Sequence, residues 1–303
     1  MGSSVNARGL RLACYYWPAS KPQGVVLFVH GHGAYLLHEL LRVDNPGQAP
    51  QYKGSWVDEL NARGFSVCGL DQQGLGFSEG LRGYVERFDD YVADVLQLAK
   101  SLATCEVAGF AGKPLFIAGC SLGGCIAVNA IHQRPELFTG AALLAPMLSL
   151  EKASRHGLNP YLRPLAGLIS WLAPTLMVVA TTRNTLYPHL QAIWDEDPLC
   201  WHGATRARNA TEYLIATSAC LAMMPQYSFP FVVFHGEDDT LCDVDGSRQL
   251  FERAKSTDKE LHIIPMRWHV IIKEPGNEEI LRDMIAWMEK RLHGRDSQHK
   301  APA

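Results

Sequence analysis

The chain is 303 residues long, with 47% apolar and 19% charged residues, and 28 Lys plus Arg against 31 Asp plus Glu give a formal net charge of −3. That composition is near the soluble globular average and excludes a disordered chain, a coiled coil and a collagen-like fibre. No basic surplus exists to neutralise phosphates, so nucleic acid is not an expected partner.

In chain order, Met1-Gly2-Ser3-Ser4-Val5-Asn6 lacks the apolar core of a signal peptide. It places Asn6 where an N-myristoylation pattern wants Ser or Thr, so a flexible end or a cloning remnant is expected. Gly24–His30 and Phe65–Asp71 read as buried strands, nearly continuous in Val, Leu, Ile and Phe. Phe88–Leu102 places apolar residues at 88, 91, 92, 95, 96, 99 and 102, a helical spacing, with Asp89 and Asp90 where they favour the macrodipole. Pro114–Gly119 then reads as a strand, Leu122–His132 as a helix and Gly140–Ala145 as a strand. Phe231–His235 and Glu260–Ile264 are further strands, and Ile280–Leu292 a last helix. The polar tail after Leu292 is expected to fray.

Strands alternating with helices imply an α/β fold with a mainly parallel sheet flanked by helices. The alternation breaks between Leu148 and Tyr227, where Pro, Trp and apolar residues fall at helical spacing. The expected organisation is a single domain over residues 1–303 with a helical cap, 148–227, inserted in it. The cap's uncharged run Leu165–Ala180 is interrupted by Pro174 and falls short of the roughly 20 residues of a membrane span. Cysteines at 14, 68, 105, 120, 125, 200, 220 and 242 form no C-x-x-C pair and no zinc-finger spacing with histidines. Thiols scattered through apolar stretches point to a reducing compartment, with no disulfide framework and no structural metal. A soluble cytoplasmic protein is the expectation, with no cofactor and no metal.

The sharpest chemical signal is Gly119-Cys120-Ser121-Leu122-Gly123, a G-x-S-x-G between a strand and an apolar helix. In this nucleophile-elbow motif the turn is so tight that only glycines fit two positions either side of the serine. Ser121 Oγ would then project above the sheet at a helix N-terminus, where backbone N–H groups favour negative charge. Gly-rich turns between strand and helix also occur without chemistry, so the pentapeptide needs partners. His30-Gly31-His32-Gly33 ends the first strand, where the His32 N–H and the Leu122 N–H would form an oxyanion hole. His30 reads as a packed or hydrogen-bonded histidine.

A serine hydroxyl needs a base, and the base needs an orienting acid. Phe231–His235 is followed by Glu237, Asp238 and Asp239; Glu260–Ile264 is followed by His269, while His262 lies inside the strand. Each alone is more often a solvated loop residue, but serine, acid and histidine in that order, each beyond a buried strand, match the α/β-hydrolase triad. Cys120, Cys125 and Cys242 lie near these loops without a catalytic role.

These motifs, with Asp71-Gln72-Gln73-Gly74-Leu75-Gly76-Phe77-Ser78, resemble the monoacylglycerol lipase and lysophospholipase group of serine α/β-hydrolases. The resemblance spans the core from about Gly24 to Leu292 and reaches Glu196-Asp197-Pro198-Leu199 in the cap. Thr240-Leu241-Cys242-Asp243 and Ser256-Thr257-Asp258-Lys259 are particularly similar to monoacylglycerol lipase, and Tyr52-Lys53-Gly54-Ser55-Trp56 is similar to apicomplexan-type lysophospholipases. It implies an α/β-hydrolase fold with Ser121 as nucleophile, His269 as base and Asp239 rather than Asp238 as acid, since the family's acid lies three residues after Gly236. Two departures stand out: Ala34 where the family has an acidic residue, and Leu75 where it has histidine.

The leading expectation is a serine hydrolase cleaving the carboxylic esters of monoacylglycerols or lysophospholipids through an acyl-enzyme. The alternatives are an exopeptidase of the same fold, using Asp195, Glu196 and Asp197 to bind an amino terminus, and a catalytically silent ligand-binding protein. Leu165, Leu168, Ile169, Trp171, Leu172 and Leu176 to Val179 would give the cap a weak, reversible contact with a membrane surface.

Overall fold

The computed structural model describes residues 2–151 and 166–298. Residues 152–165 of the expected cap, Leu165 among them, lie outside the described residues. The strands are β1 (Gly2–Val5), β2 (Arg11–Trp17), β3 (Gly24–Val29), β4 (Phe65–Leu70), β5 (Leu115–Cys120), β6 (Gly140–Leu144), β7 (Met177–Val179), β8 (Thr205–Arg206), β9 (Phe231–Gly236) and β10 (Lys259–Ile264). The helices are α1 (Leu36–Leu40), α2 (Trp56–Ala62), α3 (Phe88–Ser101), α4 (Leu122–Gln133), α5 (Ala166–Leu172), α6 (Pro188–Glu196), α7 (Ala207–Met223), α8 (Val244–Arg253) and α9 (Asn277–Gln298).

Eight strands form one sheet in the order β1-β2-β4-β3-β5-β6-β9-β10. From β4 to β10 every neighbouring pair is parallel. Strand periodicity splits the apolar residues into two cores. Val25, Leu27 and Val29 of β3 face α3 and α4, while Val26 and Phe28 face α1, α2 and α9. Both faces are covered, which is why β3, β4, β5, β6 and β9 are buried at every position and read in sequence as unbroken apolar runs.

Two features depart from the sequence expectations at the chain ends. Residues Gly2–Val5 are an edge strand, paired antiparallel with β2 (Gly2 opposite Cys14, Val5 opposite Arg11). The strand is nearly all exposed and polar, so no hydrophobic period marks it; backbone pairing and the Gln97 amide, which donates to Ser4 Oγ and the Val5 carbonyl, hold it. In β2, Leu12 and Cys14 enter one core and Ala13 and Tyr15 the other. The last helix runs on past Leu292 to Gln298 in place of a frayed tail.

Between β6 and β9 lie α5, α6 and α7 together with a small antiparallel pair, β7 and β8, which the helical spacing did not foretell. Because β6 and β9 are parallel neighbours, the chain must cross the length of the sheet between them. Helix α7 makes that crossing, burying Tyr213, Ala216 and Cys220 in the core shared with α3 and α4. All eight cysteines carry free thiols. Among the described residues no helix is long and apolar enough to cross a membrane.

Candidate active site

Ser121 stands between the end of β5 and the start of α4 with φ 54 and ψ −120. That is a strained backbone for a residue bearing a Cβ, and it persists only because the surroundings hold it. The Ser121 N–H donates to the Leu144 carbonyl at 3.0 Å, and the Ser121 carbonyl accepts from Met147 at 2.9 Å and Gly124 at 3.0 Å. The glycines are required by contact. A Cβ on Gly123 would lie 2.0 Å from the Val29 carbonyl oxygen, and one on Gly119 would lie 2.3 Å from that of Gly123. The elbow is therefore locked to both neighbouring strands, and Ser121 opens into a cavity of about 660 Å³.

His269 follows β10 and lines the same cavity as Ser121. Its Nδ1 is 2.7 Å from Asp239 Oδ2, and the Asp239 side chain has no solvent exposure. The carboxylate is saturated: Oδ2 also faces His235 Nε2 at 3.0 Å, while Oδ1 accepts from the amides of Leu241 at 2.7 Å and Cys242 at 2.9 Å. Burial alone would raise the Asp239 pKa, but the charge of His269 and the hydrogen bonds from both histidines bring it down, so it stays ionised. For His269, burial lowers the pKa, while the charge and hydrogen bond of Asp239, with smaller contributions from Glu39 and Glu274, raise it above the ordinary value. Asp238 is exposed, and Asp239 is the carboxylate beside the His269 ring. With Nδ1 on Asp239, Nε2 is the nitrogen left to serve the cavity.

The loop carrying His269 is itself tied down. The Trp268 N–H donates to Glu274 Oε2 at 2.9 Å, and its indole donates to Thr240 Oγ1 at 2.7 Å on the acid loop.

On the other side of the cavity, His30 is fully buried, accepting from the Gln72 N–H at Nε2 and donating from Nδ1 to the Gly31 carbonyl, both at 2.8 Å. It is a packed, hydrogen-bonded histidine. The His32 amide finds no acceptor among the described residues, nor does that of Leu122 at the first position of α4. Neither amide is committed elsewhere, which is the condition for receiving a developing oxyanion.

Sequence reasoning missed three groups. The ring of His32, a residue whose backbone N–H alone the motif singles out, meets the Tyr213 hydroxyl of α7 at 3.0 Å and Thr205 Oγ1 of β8 at 3.4 Å. Burial, with a smaller contribution from His30, lowers its pKa to about 4, so the ring is neutral near pH 7. His235 is the second histidine on Asp239, its Nδ1 2.7 Å from Ser247 Oγ of α8; its place at the end of β9, four residues before the acid, was the available signal. Glu39 of α1 accepts from the Gly31 N–H at 2.8 Å. No local motif announces Glu39, since the five-residue α1 is too short to show an apolar period.

The residues from 47 to 276 match the family model Hydrolase_4, described as serine aminopeptidase, S33. The chain is 29% identical to a monoglyceride lipase of Homo sapiens, covering 95% of this chain and 89% of that one. It is 26% identical to a monoacylglycerol lipase of Mycolicibacterium smegmatis, covering 96% and 97%. A solved structure of a soluble variant of monoglyceride lipase from Saccharomyces cerevisiae, in complex with a substrate analog, superposes with a TM-score of 0.78 at 23% identity, covering 96% of this chain and 94% of that one. The fold is that of the α/β-hydrolases.

Proposed function

The chain belongs to the Hydrolase_4 family, and we propose that it is a serine esterase cleaving monoacylglycerols or lysophospholipids, with Ser121, His269 and Asp239 as its triad. The observation that carries the proposal is the buried Asp239–His269 hydrogen bond of 2.7 Å opening on the same cavity as a serine held at φ 54. Ser121 Oγ attacks the ester carbonyl while His269 Nε2 takes its proton, and Asp239 stabilises the imidazolium. The oxyanion is received by the amides of His32 and Leu122. His269 then protonates the departing glycerol or glycerophospho-alcohol, and water, activated by the same nitrogen, releases the fatty acid from Ser121.

Two further features favour a lipid ester. The relatives bear lipase names, and the cavity wall includes Met147, Leu150, Ile169, Val178, Val179 and Leu214, apolar surface suited to an acyl chain. An exopeptidase needs free carboxylates of the cap at the cavity, and Glu196 is exposed and not among the residues that line it. Asp197 instead accepts from the Tyr35 hydroxyl at 2.9 Å and faces His38 at 3.2 Å, and Asp195 pairs with Arg183 and Gln191. Labelling by a fluorophosphonate probe at Ser121, followed by parallel turnover of a monoacylglycerol, a lysophospholipid and an aminoacyl amide, tests the proposal. Faster turnover of the amide would replace it with the exopeptidase; an unlabelled, inactive protein would replace it with the silent ligand binder.

With His269 as the base, its raised pKa fixes a direction for the pH profile. The base works only when neutral, so kcat/KM is expected to fall at low pH with a midpoint above 6.5, the ordinary histidine value. Measuring kcat/KM on a soluble ester from pH 5 to 9 checks this, and a midpoint below 6.5 would remove the carboxylate's influence from the account.

The segment 148–227 serves as the cap in this proposal, and its apolar surface as a membrane contact for a protein of the cytoplasm. Leu168 is 53% exposed, Trp171 72% and Leu172 65%. Such a surface inserts shallowly, Trp171 suits the headgroup boundary, and the attachment is weak and reversible. Converting Leu168 and Leu172 together to Ser is expected to lower activity on vesicle-borne monoacylglycerol by about tenfold, with little change on a short soluble ester. Equal loss on both substrates would assign these leucines to packing.

A further inference from the structure

We infer that Glu39 is a positioning residue for the oxyanion hole, acting through a hydrogen bond that fixes the turn carrying one of the hole's two amides. The inference deepens the esterase proposal and rests on it. Its basis is the 2.8 Å bond from the Gly31 N–H to Glu39 Oε2, one residue before His32. The carboxylate, the turn and the elbow are packed together: a Cβ on Gly31 would lie 3.3 Å from Ser121 Cβ, 3.5 Å from the Cys120 carbonyl and 3.8 Å from Glu39 Oε2. The bond fixes the His30–Gly31 peptide, and the next peptide, which carries the His32 amide, is held at its Gly31 carbonyl by His30 Nδ1 at 2.8 Å; losing the bond to Glu39 frees the first of these two units and with it the aim of the His32 amide at the space above Ser121.

A brace must itself be rigid, and α1 is pinned at both ends. Leu36 and Leu40 are buried in the core, and the Leu36 N–H donates to Asp71 Oδ1 at 2.9 Å. The preceding Tyr35 hydroxyl and His38 Nδ1 both meet Asp197 Oδ2 at the end of α6. At the C-terminal end the Lys273 ammonium donates to the Leu41 carbonyl. Burial lowers the Lys273 pKa to about 8, and the charge of Glu39 is the largest influence opposing that fall. Lys273 thus places a positive charge near a buried carboxylate that would otherwise oppose an oxyanion.

The charge of Glu39 also reaches His269. The groups acting on that ring are Asp239 behind it, with His235 sharing the same carboxylate, Glu274 from its own loop and Glu39 from α1; Arg267 and Lys273 lie on the same stretch of chain. Glu39 makes the imidazolium more stable, so removing its charge moves the acidic limb of the pH profile to lower pH.

Two variants separate the bond from the charge. Glu39→Gln keeps an acceptor oxygen for the Gly31 N–H and loses the charge; Glu39→Ala loses both. On a short soluble ester, with active sites counted by fluorophosphonate, Glu39→Ala is expected to lose about 10- to 100-fold in kcat with KM within about twofold, a part of what deleting an oxyanion donor costs. Glu39→Gln is expected to keep kcat within about threefold, and both variants to show the acidic limb at lower pH than the parent. Equal kcat in the two variants, whether high or low, overturns the inference. Hydrogen exchange at the Gly31 amide reads the bond without turnover and is expected to accelerate in Glu39→Ala alone; unchanged protection there also overturns it. Should Glu39→Ala fail to fold, Glu39→Gln decides, since loss of its kcat or an unmoved limb overturns the inference. A parent protein that neither labels nor cleaves esters, yet protects Gly31, defeats the esterase proposal and leaves the brace standing.

Discussion

Ser121→Ala is expected to abolish ester hydrolysis and fluorophosphonate labelling, with kcat reduced on the order of 10⁴-fold or more. In the proposed mechanism the side chain serves chemistry and little else. Among the described residues its hydroxyl meets only Cys242 Sγ, at 3.8 Å, too long and too soft to hold the fold. Every backbone bond that keeps the elbow strained belongs to the main chain, and alanine bears the same φ 54 as serine. Thermal unfolding should therefore shift by no more than about 1 kcal/mol in stability. Residual turnover of a few per cent in protein free of parent enzyme would take the nucleophile's role from Ser121.

Asp239→Asn is expected to cost about as much in kcat, on the order of 10⁴-fold, because the amide imposes the wrong tautomer on the histidine. An asparagine oxygen still accepts from Leu241 and Cys242, but its NH₂ then confronts His269 Nδ1 and His235 Nε2, both of which need an acceptor. His269 must then either lose that bond or present the proton on Nε2, where the base has to be free. Asp238→Asn is the control. Its side chain is exposed and its backbone amide, which donates to the Arg267 carbonyl, is unaffected, so kcat should stay within about twofold. Reversal of the two effects in steady-state kinetics would move the acid to Asp238.

The central sheet was legible because its strands are covered on both faces, so burial leaves an unbroken apolar run such as Gly24–Val29. The elbow was legible for a related reason: the contacts at Gly119 and Gly123 exclude any side chain, and that exclusion is written directly as glycine. Other features left weaker marks. Strand β1 is held by backbone pairing, which any sequence can supply, so Gly-Ser-Ser-Val carries no period to detect. The β7–β8 pair is too short for an alternation to register. His235, Glu39 and the His32 ring act through contacts that only the packed fold makes: Ser247 and Gly31 are near His235 and Glu39 in the chain, and Tyr213 is far from His32, yet each pair meets only once helices α8, α1 and α7 are in place. Sequence order exposes groups that a motif places beside a strand end and hides those whose part is set by a helix packed against them.

Helix α7 has two duties that set how this chain tolerates remodelling. Parallel β6 and β9 require something to traverse the sheet, and α7 does so with Tyr213, Ala216 and Cys220 in the core. The same Tyr213 holds the His32 ring in the turn after β3. The described stretch from Ala166 to Glu196 is under no such topological obligation, so its length and composition can drift and a graft is best confined there, whereas Asp197, which holds Tyr35 and His38, Trp201, whose N–H donates to the Gly33 carbonyl, and Thr205 beside the His32 ring have to be kept. A graft whose downstream junction falls inside α7 disrupts the traverse and the turn at His32 in one cut. The acceptable splice site for a chimaera is therefore upstream of α7, and the lineage of this fold would diversify fastest on that side of the boundary.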